Sequence, residues 1–389
     1  MRLRALALLV STTACDIFAP NGPRSFTIEL PFCGPSAIAL TWAAVKHDGE
    51  AWTHLTPTAG IVSLRASGTL TVAYGNASAT RVYSASADEL SQVSCLRPAN
   101  ETKFHIGSVR DVGADEQFFV SVGSISVSET PFTVFVPDGP LTVVARTAKT
   151  NTGVPHRVIV RQGVNLPASA EIPILDFSSN EARPFESAHV TVTSDGESAL
   201  WNAFLPRGNR HDLFFGLVAD ETPVQYFGVP EPLLGPEDHQ VLEIRNFNSS
   251  SSTLQELAYY YRRARDTHVT VGPPPSTPTG SVLSATPCTR LRARIPAQPE
   301  YPSFVIVQFQ VDNTILEVGV TREFLGQTPS SWTVDVPDLA RPDGTCLLPA
   351  NLASWSASVI PQEGRLALHL GGTGRDGEVR RWSTGWLQP

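Results

Sequence analysis

FVIVQFQVDNTILEVGV, residues 304–320, sets two short runs of alternating side chains almost end to end, Phe304–Val311 and then 315–320. Apolar residues recurring at every second position describe a strand with one face toward a core. The same period recurs at 25–30, 69–74, 118–122, 132–136, 157–160 and 190–193. Between such runs, Asp-Gly pairs beginning at 48, 138, 195, 343 and 376 supply residues that tolerate the positive φ of tight hairpins. The expectation is an all-β chain of tandem β-sandwich modules, immunoglobulin-like or transthyretin-like. Helical signal is scarce. Within 252–265, Leu254, Leu257, Ala258 and Tyr261 have helical spacing and Thr253 with Glu256 fits a capping box, yet Tyr259, Tyr260 and Tyr261 equally suit a strand. Both readings stand on sequence alone.

Composition agrees with a folded chain. Of 389 residues, 41% are hydrophobic and only 17% charged, and 28 Gly with 32 Pro punctuate many short elements. This length suggests two to four domains. The clearest linker is GPPPSTPTG at 272–280, whose prolines favour an extended path. Other composition changes fall at 16–24, 96–102 and 178–185. They divide the chain into 1–14, a tether at 15–24, and modules at 25–98, 99–182, 183–275 and 276–389, with no internal repeat. The formal charge is −8, about −10 without Arg2 and Arg4, and only three of the 29 basic residues are lysines. An acidic chain without a basic patch is a poor nucleic-acid binder.

The N-terminus, MRLRALALLVSTTAC, has Arg2 and Arg4, an apolar run at 5–10, and small residues before Cys15. It resembles a bacterial lipoprotein signal. The apolar run is well short of the roughly 18–20 residues that span a bilayer. The resemblance implies cleavage before Cys15 and a diacylglyceryl anchor on its thiol, hence export and a membrane partner in the cell envelope. Thr12 stands where such signals usually carry leucine. The competing reading is an ordinary secretory signal cut near Ala14 or Ala19. Asp16 accompanies inner-membrane retention in some bacteria, so the membrane and its leaflet stay open. Four cysteines remain. Cys33 with Cys95 and Cys288 with Cys346 is the most economical of three pairings, each loop restricting the unfolded chain by about 4 kcal/mol.

Residues 131–175, with PFTVFVPDGPLTVVARTAK, HRVIVRQGV and the start of AEIPILDF, resemble the transthyretin-like or carboxypeptidase-regulatory β-sandwich. Pro137, Gly139, Val158, Val160 and Gly163 match its pattern, while Leu141 replaces the usual aromatic after the turn. Such modules serve mostly as scaffolds or attachment domains, which implies no catalytic residue here.

Sequence signatures of chemistry are missing. There is no G-x-S-x-G, H-E-x-x-H or P-loop, and no close cysteine pair for zinc. GGTGRDG at 371–377 lacks the Lys-Ser/Thr of a phosphate loop and reads as a hairpin. In HDGEAWTH a two-residue turn at Asp48-Gly49 makes His47 and Glu50 cross-strand partners. It leaves His54 about 13 Å farther along, too far to share an ion with His47. Asp111, Asp115 and Glu116, and Glu237 with Asp238, lack calcium-loop spacing. Ser198, His211 and Asp212 form a hydrolytic set only if the fold gathers them. Among Trp42, Trp52, Trp201, Trp332, Trp355, Trp382 and Trp386, core packing is the first explanation. Trp382 and Trp386, four apart and so on one face of a strand, are the candidates for ligand binding. The expected role is that of a noncatalytic envelope lipoprotein binding a protein or glycan, without cofactor or metal. A secreted hydrolase with catalytic residues dispersed in sequence is the alternative.

Overall fold

The computed structural model describes residues 26–30, 40–47, 49–58, 62–76, 79–91, 102–122, 125–137, 140–165, 167, 170–195, 197–206, 210–248, 253–311, 314–350, 352, 355–364 and 374–387. Cys15, Cys33, Cys95 and Gly139 lie outside them. The chain is nearly all β. Alternating runs become the strands Phe26–Leu30, Thr69–Gly75, Glu116–Val122, Phe132–Pro137, Pro155–Val164, Glu186–Thr193, Phe304–Val311 and Thr314–Thr321. The described helices are a turn or so long, Ala87–Ser91, Arg322–Leu325 and the 3₁₀ turn Glu231–Leu233. Gly49, Gly344 and Gly377 take φ of 76°, 80° and 81°, as the Asp-Gly turns require.

The ambiguous 252–265 stretch forms the strand Thr253–Tyr261. It lies between two neighbours, with Tyr259 and Tyr261 in one core and Tyr260 in another. Burial on both faces removes the alternation that would have marked it as a strand.

Twelve strands form one sheet. Its order is His211–Val218, Ser198–Leu205, His239–Asn248, Thr253–Tyr261, Val379–Leu387, Ser356–Gln362, Phe304–Val311, Thr314–Thr321, Ala79–Ser86, Thr69–Gly75, Trp42–His47 and Thr53–Leu55. All neighbours are antiparallel except Thr314–Thr321, which pairs parallel with Ala79–Ser86. Val379–Leu387 joins two blocks, pairing with Thr253–Tyr261 from Val379 to Thr384 and with Ser356–Gln362 from Trp382 to Leu387.

One face of this sheet is covered by two small sheets. Glu186–Thr193, Val224–Gly228 and Thr267–Thr270 pack Val190, Val192, Tyr226 and Val269 against Leu200, Leu242, Ile244 and Leu257. Thr279–Ser284, Arg290–Pro296 and Ser331–Asp335 pack Leu291, Ile295, Trp332 and Val334 against Val305, Val307, Phe309 and Val318. On the opposite face, the antiparallel pair Phe26–Leu30 and Val62–Ala66 covers Leu70, Val72, Tyr74, Tyr83, Phe304 and Ile306. Residues 102–184 build a separate sandwich around Val120, Val134, Val143, Ile159 and Phe177. It meets the next region through Val144 and Val158 against Phe204, Leu213 and Val229.

The segment 272–280 is extended and anchored. Gly272, Pro273 and Pro274 carbonyls accept from Gln255 (2.9 Å), Tyr301 (2.5 Å) and Gln298 (3.0 Å), which satisfies acceptors that prolines leave without a ladder. Nearby, Cys288 and Cys346 form a disulfide with Cα atoms 5.5 Å apart.

One line of pairings crosses seven strands through Ala43, Tyr74, Arg81, Glu317, Gln308, Ser358 and Trp386. At its middle is a buried carboxylate. Glu317 accepts from the Tyr83 hydroxyl and from Gln308 Nε2 (2.8 Å), with Arg81 Nε 3.8 Å away. Tyr83 reaches it across Gly319, where a Cβ would lie 2.7 Å from the tyrosine ring. Burial raises the Glu317 pKa and Arg81 offsets only part of that. A carboxyl raised on folding contributes stability at low pH that is lost as pH climbs through its folded pKa. Glu317→Gln keeps an acceptor and removes the charge. Its urea midpoint is expected to exceed that of the wild type at about pH 7 and to converge with it near pH 4. A gap of the same size at both pH values would contradict this.

Candidate functional site

Trp382 and Trp386 project from the same face of Val379–Leu387, the face not covered by the two small sheets. Their cross-strand partners are Glu256 and Ser358. Reading outward from Trp382 along the register gives Glu256, Arg245, Ala199 and Leu217. The next row gives Arg380, Ala258, Glu243, Trp201 and Phe215. Period-two geometry therefore gathers rings and charges from five strands onto one surface.

Contacts link these side chains into a chain. The Trp382 indole N–H donates to Glu256 Oε2, and Glu256 Oε1 lies 2.7 Å from Arg245 Nε. The Arg245 guanidinium sits 4.7 Å over the Trp201 ring, and Trp201 meets Phe215 with centroids 5.1 Å apart. Glu243 holds Arg210 and lies 3.7 Å from Arg245. Arg380 pairs with Glu378 at 2.7 Å and stacks over Tyr260 at 4.7 Å. Burial raises the Glu256 pKa, against the Trp382 hydrogen bond and the Arg245 charge.

This face is open to solvent. Phe215 is 56% exposed, Leu217 57%, Phe247 64% and Trp386 56%. Contiguous exposed rings of this kind mark an interaction surface on a soluble domain. Each arginine here faces a carboxylate, so the surface offers flat apolar area and hydrogen-bonding groups with no excess of positive charge.

Of the other tryptophans, Trp42 and Trp332 are buried in the core beneath the C-terminal small sheet, and Trp52 and Trp355 pack partly buried against it. The two ligand candidates read from sequence thus share a surface. Trp201, Arg245 and Glu256 were missed because they come from other strands, and only the register brings them together.

The dispersed hydrolytic set does not assemble. Ser198 lies opposite Val218 and His211 opposite Phe204, so the pair is separated by about 20 Å of strand. Ser198 instead donates to Ser194 (3.1 Å). His211 is buried beside Phe204, and burial pushes its pKa down to about 4 despite the neighbouring Asp212 charge. In HDGEAWTH, Glu50 N–H closes a turn on the His47 carbonyl, but the ladder sets Val45 opposite Thr53 and Ala44 opposite His54. Its register is thus one residue off the cross-strand His47–Glu50 pairing expected, because an irregularity follows the turn; Asp48 itself lies outside the described residues.

The acidic clusters are internally paired. Asp115 binds Lys149 at 2.9 Å. Burial opposes ionisation of Glu116, yet the Arg157 and His156 hydrogen bonds bring its pKa down to about 2. Asp238 accepts from Gly235 N–H (2.7 Å) and from Gln162. Among the described residues, no three His, Cys, Asp or Glu are placed to hold a metal ion. The described part of the glycine-rich 371–377 stretch docks by Gly377 N–H to the Tyr260 carbonyl (2.8 Å). No helix among the described residues is long and apolar enough to cross a membrane.

No known protein family matches the chain, and no curated protein sequence matches it. Arg245 separates the two halves of the aromatic chain. Arg245→Ala is expected to destabilise the protein by about 1 kcal/mol in urea denaturation and to change the near-ultraviolet circular dichroism of Trp201 and Trp382. An unchanged aromatic spectrum would contradict the stacking.

Proposed function

We propose that the protein is an exported, lipid-anchored binding protein that uses the open face of its large sheet to hold a neutral glycan chain. The observation that carries this reading is the exposed row of rings interleaved with matched ion pairs. Flat rings cover the apolar C–H faces of pyranoses while desolvating little polar surface. Between them, the part-exposed guanidinium groups of Arg245 and Arg210, held in place by the buried Glu256 and Glu243, supply donors for the ring hydroxyls. Matched charges disfavour a strongly anionic polymer, which finds no free cation among the described residues of this face. In this reading the 99–182 sandwich and the N-terminal tether act as scaffold, and Cys15 provides the membrane attachment.

The affinity test uses full-length protein in mild detergent with cellohexaose and chitohexaose in calorimetric titrations. Trp386→Ala and Phe247→Ala are each expected to weaken binding about 10-fold, equivalent to about 1.4 kcal/mol, with the urea midpoint unchanged. Absence of binding to both oligosaccharides, or equal affinity in both variants, would overturn the glycan assignment. The anchor is tested separately by fractionation. The wild type is expected in membranes and Cys15→Ser in the soluble fraction or as an uncleaved precursor; two equally soluble mature proteins would overturn it.

A further inference from the structure

We infer a second binding site, independent of the open face, for a small hydroxylated ring compound carrying a single negative charge. It is a cavity of about 360 Å³ at the mouth of the C-terminal sandwich, between the large sheet and Arg290–Pro296 with Ser331–Asp335. A volume near 300–1,000 Å³ with an apolar floor and few convergent polar groups is typical of small-ligand pockets. The floor is Val82 and Val318, and Trp52 provides a ring at the side.

Register aligns the polar wall. Lys46 pairs with Thr71 and Thr71 with Ser84, so an ammonium and two hydroxyls stand in one row, the hydroxyls 2.9 Å apart. Across the gap, Arg290 Nε donates to the Val336 carbonyl (3.1 Å), which fixes the guanidinium and leaves its terminal nitrogens for a ligand. Among the described residues, neither Lys46 nor Arg290 forms an ion pair with a carboxylate.

The acids at the rim set the ligand charge. Asp335 is neutralised by Arg292 through a bidentate pair of 2.7 and 2.6 Å. Asp338, exposed at the rim, offsets one of the two cations. The balance favours a monoanion, a carboxylate over a phosphate dianion. The hydroxyl pair and Trp52 favour a ring bearing hydroxyl groups, and a uronic acid combines these features.

The test is calorimetric titration of the full-length protein with glucuronate, glucose and glucose 6-phosphate. Glucuronate is expected to bind at least 10-fold more tightly than either of the others. Lys46→Gln and Arg290→Gln are each expected to weaken it about 10-fold, whereas Arg290→Lys retains most of the affinity. Ser84→Leu, which fills the cavity, abolishes binding without lowering the urea midpoint. Equal affinity for glucose and glucuronate, tighter binding of glucose 6-phosphate, no binding of glucuronate, or indifference to Lys46→Gln would each overturn the assignment. Trp386→Ala is expected to leave glucuronate affinity unchanged, which separates this site from the open face.

Discussion

The hydrogen-bond ladder on the two edges of Val379–Leu387 is the constraint on which the rest of the architecture depends. One edge takes Thr253–Tyr261 and the other takes Ser356–Gln362. Without this strand the large sheet separates into two, each with an uncovered edge of unpaired amides. Because strands pair in fixed register, it also sets where each neighbour's side chains fall. A slip of one residue would carry Trp382 and Trp386 to the covered face and bring Arg381 and Ser383 outward.

That register explains how buried and exposed polar groups coexist on one surface. Toward Ala79–Ser86 the face is closed by the Phe26–Leu30 and Val62–Ala66 pair, and its carboxylate, Glu317, is satisfied by Tyr83 and Gln308. Toward His211–Val218 the same face is uncovered, and its carboxylates Glu243 and Glu256 bind arginines. All three carboxylates are buried and each has an arginine within ion-pair distance; Glu317 adds two neutral donors, whereas Arg210 and Arg245, the arginines of Glu243 and Glu256, are part-exposed and Arg245 also stacks on a ring.

Strand identity was legible wherever polar or small residues interrupt the apolar run at alternate positions. Phe304–Val311, Thr314–Thr321 and Glu186–Thr193 read directly from their alternation, and the Asp-Gly turns from glycines that need positive φ. Thr253–Tyr261 was not legible, because a strand buried on both faces loses its period and its leucines then mimic a helical stripe. The site was half legible. Four-residue spacing puts Trp382 and Trp386 on one face of any strand, but Arg245, Glu256 and Trp201 join them only because Thr253–Tyr261 pairs with Val379–Leu387, which sets Glu256 opposite Trp382 across 126 positions of sequence. Nor does local sequence announce that Arg81 lies beside Glu317, since parallel pairing leaves no hairpin turn to read.

The parallel pairing of Ala79–Ser86 with Thr314–Thr321 has a consequence for how the molecule comes into being. A ribosome making roughly 5–20 residues per second finishes the first strand and reaches the second about 230 residues later, so the edge waits tens of seconds for its partner. During that interval the N-terminal region holds an exposed strand edge and an uncovered patch of Val82 and Ala73, the side that Leu291 and Val305 later bury. Until both strands are present the unpaired edge is a template for pairing with another chain, and the non-local closure it requires slows folding.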